Sequence, residues 1–202
     1  MSHDRPPVVL IHGIDDTAAK FDLMQAHLQA QGWDTYAPSL TPNNGEAGLD
    51  VLAQQVVEFI ETQVPAEQPI DLIGFSMGGI ISRYYLQRLG GDRRVRRFIT
   101  IASPHRGTWL AYGRWGAGVV QMRPDSPFLQ ELNEDDRWFE NCEVTVIWTP
   151  YDLMIVPADS STLPRAKNYQ IPVAVHAWMV SDRRCLETVT AILQAPSAEL
   201  AR

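Results

Sequence analysis

The chain lacks the excess of basic residues that nucleic-acid-binding proteins need, and its cysteines lack the spacing of a metal site. Acidic residues outnumber basic ones, 24 to 17, and the formal net charge is −7 over 202 residues. Because phosphate groups attract basic surfaces, this balance argues against a nucleic-acid partner. The two cysteines, Cys142 and Cys185, have no spacing typical of a metal site. We expect free thiols in a reducing compartment, with one disulfide as the alternative.

Long apolar runs are absent as well. None approaches the roughly 20 residues that a membrane-spanning helix needs. The N-terminal stretch Met1–Pro7 is polar and unlike a signal peptide, so we expect a cytoplasmic protein. Internal repeats and linkers are also lacking. This length predicts one domain over residues 1–202, assumed monomeric, with loosely held ends at 1–5 and 195–202.

One basic cluster departs from the acidic balance. Arg93, Arg94, Arg96 and Arg97 follow two glycines and precede a β-rich run. We favour a helix-to-strand connector with solvated charges, and the alternative is a transient contact with anionic lipid at a membrane surface.

Short β-rich runs alternate with amphipathic stretches. Most of the runs are continuously apolar, as in strands covered on both faces. This alternation predicts an α/β fold with a mostly parallel sheet and helices on both sides. The predicted strands are Val8–His12, Thr35–Leu40, Ile70–Phe75, Val95–Ala102, Val144–Thr149 and Tyr169–Val175.

A serine between two glycines follows the third predicted strand. Gly74-Phe75-Ser76-Met77-Gly78 leads directly into a helical pattern. On such a sharp turn, flanking side chains would collide with the neighbouring strand and helix, and glycine removes those collisions. We therefore interpret Ser76 as an exposed nucleophile at the start of a helix, with a glycine-serine turn without chemistry as the alternative.

A serine hydroxyl needs a general base, and the base needs a carboxylate to orient it. Asp152 follows the fifth predicted strand and His176 follows the sixth, which gives the chain order serine, acid, histidine. Both should reach the same sheet edge as Ser76. The alternatives are that Asp152 is a turn former and that His176 is a satisfied core histidine. His105 has the character of a structural or rim residue.

An oxyanion hole requires two backbone N–H groups. We predict that one belongs to Met77, directly after the nucleophile, and the other to Ile14, after the first strand. Gly13 lets that loop turn, and Asp16 or Thr17 can cap the next helix.

The segment 104–141 does not fit the simple alternation. It carries three of the six tryptophans, interrupted by glycines and prolines. One interpretation is a covering helix at Asp125–Leu132 with a packed connector. The other is an apolar cap or lid, with Trp109–Met122 lining or covering the serine.

These features together resemble the α/β-hydrolase superfamily and, within it, the small bacterial triacylglycerol lipases and esterases. The resemblance implies ester hydrolysis through an acyl-enzyme at Ser76, with Asp152 and His176 as partners, Ile14 and Met77 as oxyanion donors, and no cofactor. Since the chain is short for the superfamily, we expect a small or minimal cap. The similar segments are Val8–Ile14, Gly74–Gly79, Ser103–Thr108, Asp152–Pro157 and the region of His176.

The first of two departures from the family pattern concerns the second oxyanion donor, Ile14, and the other concerns the substrate site. Asp15 and Asp16 follow Ile14 where many relatives have glycines. Trp178 and Met179 follow the histidine closely, and they either line an acyl pocket or bury the final turn. We add Trp109 and Leu110 as candidate substrate-binding residues.

The leading hypothesis is a carboxylic-ester hydrolase that acts on an acyl lipid or another apolar small-molecule ester. An acyltransferase with the same three residues is the second. A non-catalytic binding protein on this fold is the third, although such proteins usually lack one of the three.

Overall fold

A six-stranded parallel sheet forms the centre of the computed structural model, which describes residues 5–65 and 68–196. The strands are β1 (Val8–Ile11), β2 (Thr35–Tyr36), β3 (Ile70–Phe75), β4 (Val95–Ile101), β5 (Glu143–Trp148) and β6 (Lys167–Gln170). Their spatial order is β2-β1-β3-β4-β5-β6, and every neighbouring pair is parallel. The predicted α/β class is confirmed.

Helices cover both faces of the sheet. They are α1 (Asp22–Gln29), α2 (Leu49–Gln63), α3 (Met77–Arg88), α4 (Ala117–Gln121), α5 (Pro127–Glu134) and α6 (Arg183–Gln194). One core cluster joins α1 and α6 to Val8 and Leu10 of β1, and a second joins α2, α3 and α5 to Val9 and Ile11. Strand side chains alternate between faces, so the apolar run of β1 supplies both clusters. Of the helices in the described ranges, none is long and apolar enough to cross a bilayer.

Two strands differ from prediction because of proline. Four of the six match to within one residue at each end. β2 is predicted to reach Leu40 but ends before Pro38, which has no N–H to give to a neighbouring strand. β6 is predicted over 169–175, a run that contains Pro172, and instead occupies four exposed residues at the sheet edge.

Helix caps also differ from prediction. α5 does not begin at Asp125, whose φ of +59° lies outside the helical region. Ser126 is the cap, because its Oγ accepts a hydrogen bond from Leu129 N–H at 3.2 Å. Thr17 precedes a 3₁₀ turn, Ala18–Phe21, without a capping bond from its side chain.

Arg96 and Arg97 of the basic cluster are not solvated charges, which corrects that part of the favoured interpretation, whereas Arg93 is exposed in the connector before β4. Arg96 donates to both carboxylate oxygens of the buried Asp71, at 3.0 and 2.7 Å. Arg97 is fully buried and donates to the carbonyls of Leu193, at 3.0 Å, and Ala195. Arg97 therefore fastens the end of α6 to β4, and Arg96 ties β4 to Asp71 of β3.

Both ends of the described chain are anchored. Arg5 Nη1 donates to the Gln31 carbonyl at 2.7 Å, and Ala195 accepts the hydrogen bond from β4. The expectation of loose ends is wrong for these two residues. Residues 1–4 and 197–202, to which the same expectation applied, lie outside the described residues.

The two cysteines are separate free thiols. Cys142 belongs to the core cluster of α2, α3 and α5, and Cys185 to the cluster of α1 and α6. The alternative of a disulfide is therefore wrong. Burial raises the pKa of both thiols, which keeps them protonated and unreactive.

Candidate active site

Ser76 occupies a strained turn between β3 and α3. Its φ of +54° and ψ of −125° are rare for a residue with a side chain. A Cβ at Gly74 would lie 2.5 Å from Gly79 Cα, and one at Gly78 would overlap the Ile11 carbonyl. The flanking glycines thus allow β3, α3 and β1 to meet closely enough to hold the turn.

Asp152 and His176 are directly paired. Asp152 Oδ2 lies 2.7 Å from His176 Nδ1, and the Asp152 side chain is almost fully buried. Asp152 Oδ1 accepts two backbone hydrogen bonds, from Met154 at 2.8 Å and Ile155 at 2.9 Å. Asp152 therefore forms a turn and also holds the histidine, so its two interpretations do not exclude each other.

The pair fixes the protonation pattern of His176. A carboxylate oxygen can only accept, so the neutral tautomer that this contact favours has its proton on Nδ1 and a lone pair on Nε2. Ser76 and His176 line the same cavity, of about 420 Å³. The structure brings together all three residues, Ser76, Asp152 and His176, that the sequence placed at one sheet edge.

Two backbone N–H groups beside Ser76 are free to meet a ligand. Met77 is the first residue of α3, where N–H groups have no partner within the helix. In the loop after β1, Asp15 N–H donates to Asn43 O at 2.8 Å and Asp16 N–H to Gly13 O at 3.4 Å. Within the described ranges Ile14 N–H has no such acceptor, and Ile14 lines the cavity with Ser76.

His12 supports this loop, a role that the sequence did not indicate. Its Nδ1 donates to Gly13 O at 2.8 Å, and its Nε2 accepts from Leu40 N–H at 2.9 Å. Burial lowers the pKa of His12, which favours the neutral ring that this pattern requires. The residue after β1 thus ties the Ile14 loop to the chain beyond β2.

His105 is a buried structural residue, which is one of the two roles that the sequence predicts for it. Its Nε2 bonds to Thr100 Oγ1 at 3.0 Å, and its Nδ1 faces Arg83 at 3.4 Å. Burial and then the charge of Arg83 hold the pKa of His105 well below its ordinary value. Across residues 5–65 and 68–196, no three His, Cys, Asp or Glu side chains are grouped to hold a metal ion.

The four candidate substrate-binding residues have different outcomes. Leu110 lines a second cavity beside Ser76. Trp109 is more than half exposed and stacks on Tyr112. Trp178 is also exposed, and neither tryptophan lines either cavity. Met179 is fully buried against α1 and α6, so it buries the final turn and cannot line a pocket.

Segment 104–141 contains a helix that packs on α3 and a stretch that lines a cavity with Ser76. α5 covers α3, with Leu129 and Leu132 buried in the core. The 3₁₀ turn Trp109–Gly113 and α4 lie over Ser76 and form walls of the second cavity. Arg114, in the connection between them, forms an ion pair with Asp15 of the loop after β1. Sequence reasoning missed this pair because its members are 99 residues apart.

Comparison with known proteins identifies thioesterases and lipases as relatives of this chain. A family model described as palmitoyl protein thioesterase matches residues 7–115, just over half of the chain. Human lysosomal thioesterase PPT2 is 31% identical over 146 residues, which are 66% of this chain and 48% of that protein. A triacylglycerol lipase of Burkholderia plantarii is 29% identical over 115 residues, 53% of this chain and 32% of that protein. The chain spans about half or less of the length of these curated relatives.

Solved structures extend the likeness to the whole fold. A mature Bacillus licheniformis lipase, BlEst2, superposes with a TM-score of 0.78 at 16% identity over 95% of this chain and 93% of the lipase. Aspergillus fumigatus lipase B gives 0.81 at 16% identity over 98% of this chain and 55% of that one. The chain therefore has the α/β-hydrolase fold.

Proposed function

This chain belongs to the palmitoyl protein thioesterase family, and from that premise we propose that it is a serine hydrolase of acyl esters or thioesters. Ser76 is the nucleophile, His176 the general base and Asp152 the carboxylate that orients it. The observation that carries this proposal is the 2.7 Å Asp152–His176 bond at the rim of a cavity that Ser76 and His176 share. The substrate is a small-molecule or lipid ester.

The first half of the reaction forms an acyl-enzyme. His176 Nε2 removes the hydroxyl proton of Ser76 while Oγ bonds to the substrate's carbonyl carbon. Asp152 stabilises the resulting imidazolium. When the tetrahedral intermediate collapses, the bond to the alcohol or thiol breaks, and Nε2 returns the proton to that leaving group.

The second half repeats these steps with water. His176 takes a proton from water, the oxygen attacks the acyl carbon, and Ser76 Oγ leaves with the proton that Nε2 returns. In both halves the N–H groups of Ile14 and Met77 receive the oxyanion. Each such donor typically contributes about 3 kcal/mol to transition-state stabilisation.

Covalent labelling tests the nucleophile. A fluorophosphonate probe reacts with serines that a base activates, so we expect one equivalent of label per chain, on the peptide that contains Ser76. The buried Ser161 is an internal comparison and should remain unlabelled, because its hydroxyl has no histidine beside it in the described chain. No label, or label on another serine, would overturn the assignment.

Adding a methyl group to Gly13 should disturb the oxyanion loop. In Gly13→Ala the new Cβ would lie 3.0 Å from Ser76 Cβ and 3.2 Å from Asp16 Oδ2, so the loop must shift by a few tenths of an ångström. Because displaced catalytic groups lose rate steeply, we expect kcat to fall about tenfold. Gly113→Ala is the matched control, since a Cβ there meets nothing within 4 Å. Equal kcat values for the two variants in a p-nitrophenyl ester assay would contradict this role of the loop.

A further inference from the structure

Ser76 lies between two cavities of very different size. The larger one, of about 420 Å³, is lined by His176. The smaller one, of about 70 Å³, lies beneath the cap and does not include His176 among its lining residues. Ile14, Arg114 and Met154 border both, so the two cavities meet at the nucleophile.

The direction of proton transfer decides which part of the substrate each cavity holds. His176 must hand its proton to the departing alcohol or thiol, so that group lies on the histidine side of Ser76. The acyl chain then points away from His176. This rests on the proposed function of Ser76 and His176. On that basis, we propose that the small cavity is the acyl site and that the substrates are short-chain acyl esters or thioesters with a bulky leaving group.

The size of the acyl cavity limits the chain length. By the same measure the smaller cavity has about 70 Å³ and the larger one about 420 Å³, so the acyl side has room for a much shorter group than the leaving-group side. We therefore expect a short acyl chain such as acetyl or propionyl to suit this side better than the palmitoyl chain in the family's name. The walls are apolar, with Leu110, Val119, Met122 and Ile155 among them, which suits a hydrocarbon.

The cap wall is fastened to the body by backbone hydrogen bonds. Ala117 N–H donates to Glu46 O, and Gly118 N–H to Gly45 O, both at 3.1 Å. A Cβ at Gly45 would lie 2.6 Å from Val119 Cγ2, so Val119 packs directly against that backbone. α4 therefore cannot move outward for a longer chain without breaking these bonds.

The opposite wall is fastened through Thr108. Its hydroxyl donates to Met154 O at 2.8 Å and accepts from Val156 N–H at 3.0 Å. Trp109 N–H also donates to Val156 O at 2.9 Å. These bonds hold the cap to the loop that contains Asp152, so widening the cavity would also disturb the catalytic carboxylate.

A pair of isomeric esters tests the assignment of the cavities. Octyl acetate and ethyl octanoate have the same molecular formula. The long chain belongs to the alcohol in octyl acetate and to the acyl group in ethyl octanoate. We expect wild-type kcat/KM for octyl acetate to exceed that for ethyl octanoate by about 100-fold, because a hydrophobic pocket discriminates roughly 10- to 200-fold even for one methylene group. Equal values, or a preference for ethyl octanoate, would overturn the proposal.

Two variants test whether the cap wall sets this preference. Met122→Ala should enlarge the cavity and reduce the preference for octyl acetate about tenfold. Leu110→Ala should act in the same direction and is partly exposed, so it carries less risk to folding. Val120→Ala, on the exposed side of α4, is the control and should keep the wild-type preference. If both pocket variants keep the wild-type ratio, the small cavity is not the acyl site.

These outcomes separate the proposal from the function on which it rests. Hydrolysis of both esters without the expected preference leaves a serine hydrolase with a different acyl site. If neither ester, nor p-nitrophenyl acetate, is hydrolysed and the fluorophosphonate leaves Ser76 unlabelled, the hydrolase function itself fails.

Discussion

Replacing Ser76 by alanine should lower kcat for ester hydrolysis about a million-fold, since the nucleophile and its base act as a unit. The paired Asp152 and His176 cannot form an acyl-enzyme without the hydroxyl. Folding should be preserved, because the variant only removes an oxygen atom from a side chain at the cavity wall. Initial rates with p-nitrophenyl acetate, together with circular dichroism, measure both effects.

Ser161→Ala is the matched control for this change. Ser161 is also buried, and its hydroxyl lacks a hydrogen-bond partner among the described residues. Its loss should leave kcat unchanged and should not lower the free energy of unfolding. A Ser76→Ala protein that keeps more than a small fraction of wild-type kcat would rule out Ser76 as nucleophile.

The second large effect is expected for Asp152→Asn, with kcat about 10⁴-fold lower. Two backbone N–H groups, from Met154 and Ile155, point at the position of Oδ1. The amide oxygen of asparagine will occupy that position, because an NH2 group there would face two donors. The NH2 group then faces His176 Nδ1, which must accept. The histidine proton moves to Nε2, and the base is lost.

Asp159→Asn is the control for this substitution. Its carboxylate is exposed and pairs with Arg106 on the surface at 3.2 Å, where an ion pair contributes little. We expect wild-type kcat for this variant. The kcat of Asp152→Asn, measured alongside thermal unfolding, should fall without a comparable loss of stability. A loss of activity explained entirely by unfolding would contradict the orienting role.

The strained turn at Ser76 could be predicted from sequence because its determinants are local. Gly74 and Gly78 flank Ser76 directly, and their lack of side chains is what the crossing of β3, α3 and β1 demands. The parallel sheet could be predicted for a similar reason, because β-rich runs alternate with amphipathic stretches along the chain. Periodicity and proline placement act within a few residues, and β2 and β6 end before Pro38 and Pro172, earlier than the predicted runs.

The substrate pocket could not be predicted, because tertiary packing decides it. Met179 and Met154 are both apolar residues near catalytic ones, yet Met179 faces α1 and α6 while Met154 borders both cavities. Which way each points depends on how far the chain turns after Val175 and after Asp152. Those turns are set by contacts with distant segments, such as the bond from Thr108 to Met154.

The sequence by itself determined the fold class and the identity and order of Ser76, Asp152 and His176, because glycine spacing and strand ends act locally. Only the tertiary structure decided which N–H groups near Ser76 lack an acceptor within the described residues and so can serve the proposed oxyanion hole. Asp15 N–H is taken by Asn43, and His12 holds the Ile14 loop in place. The same packing divides the space around Ser76 into a wide cavity and a narrow one, since α4 is bonded to a loop about 70 residues earlier.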